Sequence, residues 1–281
     1  MATILDGKTL AKKITEDLKE KVSKLSKKPN LVAILVGENP ASKLYVGMKE
    51  KKAKEIGITS TTINLPENTT QNDLIAKIEE LNNDKDIDAI LVQLPLPKHI
   101  SESEVLQKIN PDKDVDGFTI ENIGKITIEL TPNSYPCTPK GIIKLIESYG
   151  IEIEGKNATI IGRSNIVGKP ISIMLLKKNA TVTICHSKTK NLKEKTLNAD
   201  ILISAVGSAH IVKKDMVKEG ATVIDVGVSK IDGKIVGDVD FKNVSEIAGY
   251  ITPNPGGVGP MTIAMLMENT YELAILHRNF S

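Results

Sequence analysis

Short runs of branched apolar residues recur along this chain, each followed by a longer stretch of helical period, and the whole alternation occurs twice. After a charged amphipathic helix from Asp6 to about Leu25, residues 30–37 read Asn-Leu-Val-Ala-Ile-Leu-Val-Gly, an apolar run of strand length. A helix is expected from Ser42 to about Ile56, with Gly57 as its stop. Residues 58–65 alternate as a second strand. Residues 70–83 place Leu74, Ile75, Ile78 and Leu81 on one helical stripe. Residues 88–94 form a third strand, closed by Pro95 and Pro97, which cannot donate to a ladder. Strand-helix-strand-helix-strand order requires a parallel sheet, because each helix carries the chain back over a face by a right-handed crossover.

The pattern restarts after a break. Residues 118–139 contain Pro132, Pro136 and Pro139 and read as an irregular inter-domain connection, followed by a helix over about 140–149 that Gly150 ends. Strands are then expected at 157–161, 181–185, 200–205 and 222–226, with a loop at 162–169 and a helix at 170–178 that has Pro170 in its first turn. This second unit has the order of a nucleotide-binding α/β domain. A last helix, about 261–278, follows a Gly-Pro loop, and alternation alone does not decide which domain it joins. A chain of 281 residues suits two such domains.

Charge narrows the partners. A formal net charge of +2 offers no attraction to nucleic acid or to a membrane surface. Lysines interleave with acids, as in Lys12-Lys13-Ile14-Thr15-Glu16-Asp17, which is the pattern of a solvated helix face. Cys137 and Cys185 stand far apart without metal-type spacing, so a reducing compartment is expected. No basic start leads into an apolar run and no stretch has spanning length, which places the chain in the cytosol.

The loop after the first strand of the second unit carries the first chemical signal. Gly162-Arg163-Ser164-Asn165-Ile166-Val167-Gly168-Lys169-Pro170 turns a strand into a helix, so backbone N–H groups and a helix N-terminus point outward, as a phosphate requires. Ser164 replaces the second glycine of G-x-G-x-x-G. Five residues, not four, separate Gly162 from Gly168, and Pro170 follows Lys169, which excludes a P-loop. Ile166 excludes a nucleophile elbow. An ordinary tight turn would also account for the glycines. The end of the next strand decides between cofactors. NAD sites place a carboxylate there, whereas this chain has Cys185-His186-Ser187-Lys188. A 2′-phosphate repels a carboxylate and attracts Arg163 and hydroxyl donors, which favours NADP over NAD.

The first domain has its own polar residues. Tyr45 and Lys49 share a helix face, an arrangement that a solvated surface also produces. Gln93 interrupts an apolar strand at its carboxyl end, where open α/β sheets bind ligands; it either satisfies a structural neighbour or contacts a ligand or a lysine. Asp112-Lys113-Asp114-Val115-Asp116-Gly117 begins like a calcium loop, but Ile123 stands where the twelfth-position Glu belongs, and no metal is expected. A second glycine loop, Pro255-Gly256-Gly257-Val258-Gly259-Pro260, leads into the last helix as either a shaped ligand-facing backbone or a plain linker. None of the four histidines has metal or triad spacing, and His99, His210 and His277 are expected to have no catalytic role.

These segments together resemble a known family. Residues 78–84 through Val92-Gln93-Leu94-Pro95-Leu96-Pro97, and Pro255-Gly256-Gly257-Val258-Gly259-Pro260-Met261-Thr262-Ile263, look like the two signatures of the bifunctional methylenetetrahydrofolate dehydrogenase/cyclohydrolases. Tyr45-Val46-Gly47-Met48-Lys49, Asp114-Val115-Asp116-Gly117-Phe118, Pro136-Cys137-Thr138-Pro139 and the segment from Gly162 to Pro170 also fit, in order along the whole chain. The resemblance implies an α/β fold of two domains: a folate-binding catalytic domain, 1–139 with the helix 260–281 packed back on it, and a Rossmann-like NADP-binding domain, 140–259, with a folate cleft between them. It implies Lys49 as the catalytic lysine, Gln93 in contact with it and modulating its protonation, Tyr45 lining the folate, and Asp116 on the pterin's polar edge. Val92, Leu94, Pro255, Gly256, Gly257, Val258 and Gly259 would border the substrate. Gly162, Arg163, Ser164, Ser187 and Val228 would contact the dinucleotide, with Arg163 and Ser187 near its 2′-phosphate. The expected partners are tetrahydrofolate one-carbon derivatives and a second copy in a homodimer. Rival readings are a monofunctional dehydrogenase, another NADP-dependent dehydrogenase, or a nucleotide sensor without catalysis.

Overall fold

The structure, a computed structural model, describes residues 1–231 and 233–279. The chain divides into two compact units, Lys13–Cys137 with Ile263–Ser281, and Met1–Lys12 with Thr138–Thr262. The last two residues of the expected C-terminal segment, 280–281, lie outside the described residues. The first twelve residues, expected in the folate-binding domain, group instead with the second unit, because β1 (Thr3–Ile4) pairs with that unit's sheet. Two residues are too few to register as strand-like in the sequence.

The first unit holds a three-stranded parallel sheet of β2 (Asn30–Val36), β3 (Thr59–Leu65) and β4 (Ala89–Val92), in the order β3-β2-β4. The central strand is apolar almost throughout and buried from Leu31 to Val36, as a parallel strand buried on both faces requires. The edge strand β3 alternates between exposed and partly buried positions. Helix Pro40–Ile56 starts where Asn39 accepts the N–H groups of Ala41 and Ser42 at 3.0 and 3.1 Å, and it ends at Gly57 with φ 84°. Helix Gln71–Asn83 is capped by Thr70 and turns Leu74, Ile78 and Leu81 onto Ile34 and Ile90. Such fully buried aliphatic side chains each contribute about 1.5–3 kcal/mol.

Two expectations need correction here. Strand β4 stops at Val92 rather than Leu94, although the Gln93 N–H still reaches Ile34 O at 2.9 Å. The ladder ends there because Pro95 follows. The region 118–139, expected to be irregular, contains helix Ile120–Thr127, which Thr119 caps, and the start of helix Cys137–Ser148. Three prolines drew attention away from a helix that finishes five residues before the first of them.

The second unit is built on a six-stranded parallel sheet ordered β1-β11-β8-β7-β5-β6. Its strands are β5 (Asn157–Ile161), β6 (Thr181–Cys185), β7 (Ile201–Ser204), β8 (Thr222–Asp225) and β11 (Tyr250–Ile251), beside β1. A small antiparallel pair, β9 (Ser229–Ile231) and β10 (Lys234–Val236), follows β8. From β5 the chain passes through helix Gly168–Lys177 to β6 on one side, then crosses back to β7 on the other. Connections that leave a strand in opposite directions open a crevice at its carboxyl end, and here that end carries Gly162. The last helix, Val258–Asn279, begins three residues earlier than expected, with Pro260 in its first turn, where a missing N–H costs nothing.

Candidate active site

Lys49 and Gln93 meet. The lysine is half-buried on the helix after β2, and its Nζ donates to Gln93 Oε1 at 2.9 Å. The other end of the amide, Nε2, donates to Leu94 O at 2.6 Å, so both of its polar atoms are used and its orientation is fixed. Tyr45, one turn earlier on that helix, is 40% exposed. Leu44 and Met48, on the same helix, are also exposed, which leaves apolar side chains open around the lysine. Val92 is buried in the core, so only its backbone can meet a ligand, while Leu94 is half-buried.

Asp116 joins this group. Burial pushes its carboxyl up to about 6, the Lys49 charge pulls against that shift, Asp114 adds to it, and a Cys137 thiol hydrogen bond opposes it. The turn that presents Asp116 is held by Asp114. That buried carboxylate accepts Gly117 N–H at 2.9 Å, Thr119 N–H at 2.8 Å and Asn122 Nδ2 at 3.0 Å. Gly117 has φ 68°, and a Cβ there would stand 2.6 Å from Ser134 O. Asn269 Nδ2 donates to Val115 O and Tyr135 O, both at 2.8 Å, and so ties the turn to the last helix. In the sequence Asp114 stands out only as part of a segment that begins like a calcium loop, and Asn269 gives no signal because a single amide in an apolar helix has no spacing to read.

In the second unit, the residues expected to face a dinucleotide lie along the carboxyl edge of the sheet. Gly162 follows β5 with φ 124°, and a Cβ there would stand 2.5 Å from Ala205 O. Gly168 opens the next helix with its α-carbon against Gly162 O, so neither position has room for a side chain. Ser164 Oγ accepts Val167 N–H at 3.1 Å and Gly168 N–H at 3.2 Å, which shapes the loop from inside. Arg163 is exposed. Ile161 and Cys185 are register partners, so Arg163 and Ser187 each stand two residues beyond adjacent strand ends. Ser187 is exposed, and the turn around it is closed by His186 N–H to Thr189 Oγ1 at 2.8 Å. Val228, beyond β8, is 52% exposed, so its side chain is open to contact with a ligand. An exposed arginine and two hydroxyls, with no carboxylate at the end of β6, form a donor set that fits a phosphorylated ribose.

The second glycine loop is shaped as well. Gly256 has φ 112°. Its carbonyl accepts Lys8 N–H at 2.9 Å, and Gly257 N–H bonds Pro253 O at 2.9 Å. Pro255 and Gly259 are exposed and Gly257 and Val258 are buried; a Cβ at Gly259 would meet nothing within 4 Å.

A buried acidic pair was missed in the sequence. Asp225 closes β8, and burial pushes its carboxyl up to about 6 against hydrogen bonds from Val239 and Asp238 N–H. Asp238 is fully buried. Each is an acid placed within an apolar run, Val-Ile-Asp-Val and Val-Gly-Asp-Val, and that interruption is the signal that could have found them.

Residues 5–116 match the family model for the tetrahydrofolate dehydrogenase/cyclohydrolase catalytic domain, and residues 136–278 match the model for the NAD(P)-binding domain of the same name. The bifunctional protein FolD of Thermodesulfovibrio yellowstonii is 54% identical over 281 residues, covering 99% of this chain and 98% of that protein. The crystal structure of the bifunctional FolD methylenetetrahydrofolate dehydrogenase/cyclohydrolase from Campylobacter jejuni superposes with a TM-score of 0.97 at 51% identity, with both chains fully covered. The Trypanosoma brucei enzyme, solved with NADP cofactor and an inhibitor, gives 0.93 at 38% identity over 97% of each chain.

Proposed function

The chain belongs to the tetrahydrofolate dehydrogenase/cyclohydrolase family, and from that premise we propose how its residues divide the work. The protein oxidises 5,10-methylenetetrahydrofolate with NADP and hydrolyses the resulting methenyl compound to 10-formyltetrahydrofolate. The observation that carries the residue assignment is the Lys49–Gln93 hydrogen bond, with Asp116 in the same unit and within range of the lysine's charge.

Bound NADP supplies a hydride acceptor for the methylene carbon, and the folate nitrogens share the charge that develops. The chain's own work in that step is to hold the reactants in register. Arg163 and the hydroxyls of Ser164 and Ser187 fix the phosphorylated ribose, Gly162 lets backbone approach the phosphates, and Val228 packs on the dinucleotide. Asp116 holds the pterin's polar edge as an acceptor, and exposed Tyr45 lines the substrate's aromatic portion. Val92 and Leu94 contribute through the backbone at the β4 exit. Pro255, Gly256, Gly257, Val258 and Gly259 contact the folate through a backbone with open space at Gly259.

The second step moves protons. Water adds to the methenyl carbon, one carbon–nitrogen bond breaks, the departing nitrogen gains a proton, and one proton is released overall. Lys49, as the amine, takes a proton from the attacking water and returns one to the leaving nitrogen. Gln93 Oε1 fixes the direction of Nζ during both transfers. A stopped-flow assay that follows NADPH and the methenyl chromophore separately tests the assignment. Residue roles survive only if Lys49 variants lose the second signal.

The chain is proposed to act as a homodimer in the cytosol. Edge strand β6, whose outer side pairs with no other strand among the described residues, exposes Ile184 at 41%, and an uncovered apolar edge invites a second copy. Cys137 and Cys185 are both buried thiols, as a reducing compartment favours. Sedimentation of the purified chain at micromolar concentration tests the dimer, and a single monomer boundary would exclude it.

A further inference from the structure

The turn after β7, residues 205–208, is exposed from Val206 onward and walls the corner at Gly162. Ala205 N–H bonds Ile161 O at 2.8 Å, and Val206 Cγ1 would lie 3.4 Å from a Cβ placed on Gly162. Val206 is 41% exposed, and Gly207 has φ 67°. An exposed turn with a glycine in the left-handed region has little of its own to hold its shape. What holds it is a carboxylate from thirty residues further along the chain. Asp238, itself 0% exposed, accepts Ser204 Oγ at 2.8 Å and Val206 N–H at 2.9 Å through Oδ2, and Ser208 N–H at 2.7 Å through Oδ1.

The anchor is itself anchored. Asp225 at the end of β8 accepts the N–H groups of Asp238 and Val239 at 2.9 and 3.1 Å. Asp225 N–H in turn donates to Thr252 Oγ1 at 2.8 Å. A Cβ on Gly227 would overlap the Asp238 carboxylate, so the backbone leading to Val228 is packed directly on it. One buried carboxylate therefore fixes both a turn beside the β5 corner and the approach to Val228. A charge buried this deeply is costly unless its partners are complete, and all three of these partners belong to β7 or the turn that follows it.

We propose that Asp238 is a positioning residue for NADP, which holds the 205–208 turn as a wall of the dinucleotide site. The proposal rests on the reading of the carboxyl edge as that site. Asn at this position does not substitute, because its NH₂ group would face a donor.

The test uses full-length Asp238→Ala and Ser204→Ala enzyme, with Arg163→Ala as control. Loss of charge-assisted hydrogen bonds predicts a rise of about tenfold or more in the KM for NADP of Asp238→Ala, and about two- to threefold for Ser204→Ala. Turnover at saturating NADP changes far less. Hydrolysis of methenyltetrahydrofolate added directly, without dinucleotide, stays within about twofold of wild type, because positioning one ligand leaves the other step's groups in place. An unchanged KM for NADP in both variants overturns the inference, as does a parallel fall of hydrolysis and NADP affinity. If Asp238→Ala does not fold, Ser204→Ala decides by the same criteria. A response at Arg163→Ala without one at Asp238 and Ser204 overturns this inference alone. No response at Arg163→Ala removes the site reading, and this inference with it.

Discussion

Asp116 lies within range of the Lys49 charge, which pulls its carboxyl down against the larger rise that burial imposes. The two sit on different elements, Lys49 on the helix after β2 and Asp116 in the turn at 114–117 that precedes helix Ile120–Thr127. Gln93 holds the lysine from a third position, at the exit of β4. The grouping is therefore set by the strand order β3-β2-β4, which brings the carboxyl ends of β2 and β4 side by side.

Lys49→Met removes the proton carrier and keeps most of the length of the side chain. Hydrolysis of methenyltetrahydrofolate is expected to fall by about 10²–10⁴-fold. The melting temperature should move by only a few degrees, roughly what a surface-proximal change costs. Loss of absorbance of the methenyl chromophore reads the rate, and wild-type hydrolysis would exclude the role.

Asp116 gives a pH signature. Its carboxyl titrates at about 6 in the folded protein against an ordinary 3.8, so between those values the folded state keeps a proton that the unfolded chain has released. That contribution is fully present below the unfolded value and is lost as pH rises through about 6. Asp116→Asn should be near neutral at low pH and stabilise the ligand-free protein by about 1–3 kcal/mol at pH ~8. Urea unfolding at the two pH values measures the difference, and an equal offset at both would contradict it.

Gly162→Ala introduces a Cβ at φ 124° against Ala205 O. Strain and backbone overlap together predict a loss of roughly 2–4 kcal/mol of stability. Thermal unfolding checks this, and a variant as stable as wild type would show that the corner relaxes freely.

Arg163→Ala removes the cation expected at the 2′-phosphate. The KM for NADP should rise by about tenfold or more while that for NAD changes little, since NAD lacks the phosphate. Parallel dehydrogenase assays with both dinucleotides decide the point, and equal effects would assign Arg163 to another part of the cofactor.

Much of this was legible from residue order. The strands β2 and β5 follow from apolar runs, because burial on both faces writes a continuous signal, whereas the edge strand β3 is read from its alternation. Gln93 stood out because an amide inside an apolar strand needs a reason, and the structure supplies one in Lys49 Nζ. The pairs Asp114–Asn122 and Asp238–Ser204 were not legible. Their partners are 8 and 34 residues apart, and only the folded chain brings those atoms together. Short elements such as β1 and helix Leu192–Leu197 escaped for a different reason: they are too brief to show a period.

The crowding at Gly162 and Gly168 limits how coenzyme choice can be redesigned. With a carbonyl standing where each Cβ would have to go, those two positions are closed to any larger amino acid. Side chains at 163 and 187 point from exposed positions past the ends of β5 and β6 and are open to exchange. A laboratory selection for NAD-accepting variants should therefore leave the corner unaltered and draw its successes from 163, 187 and their immediate surroundings.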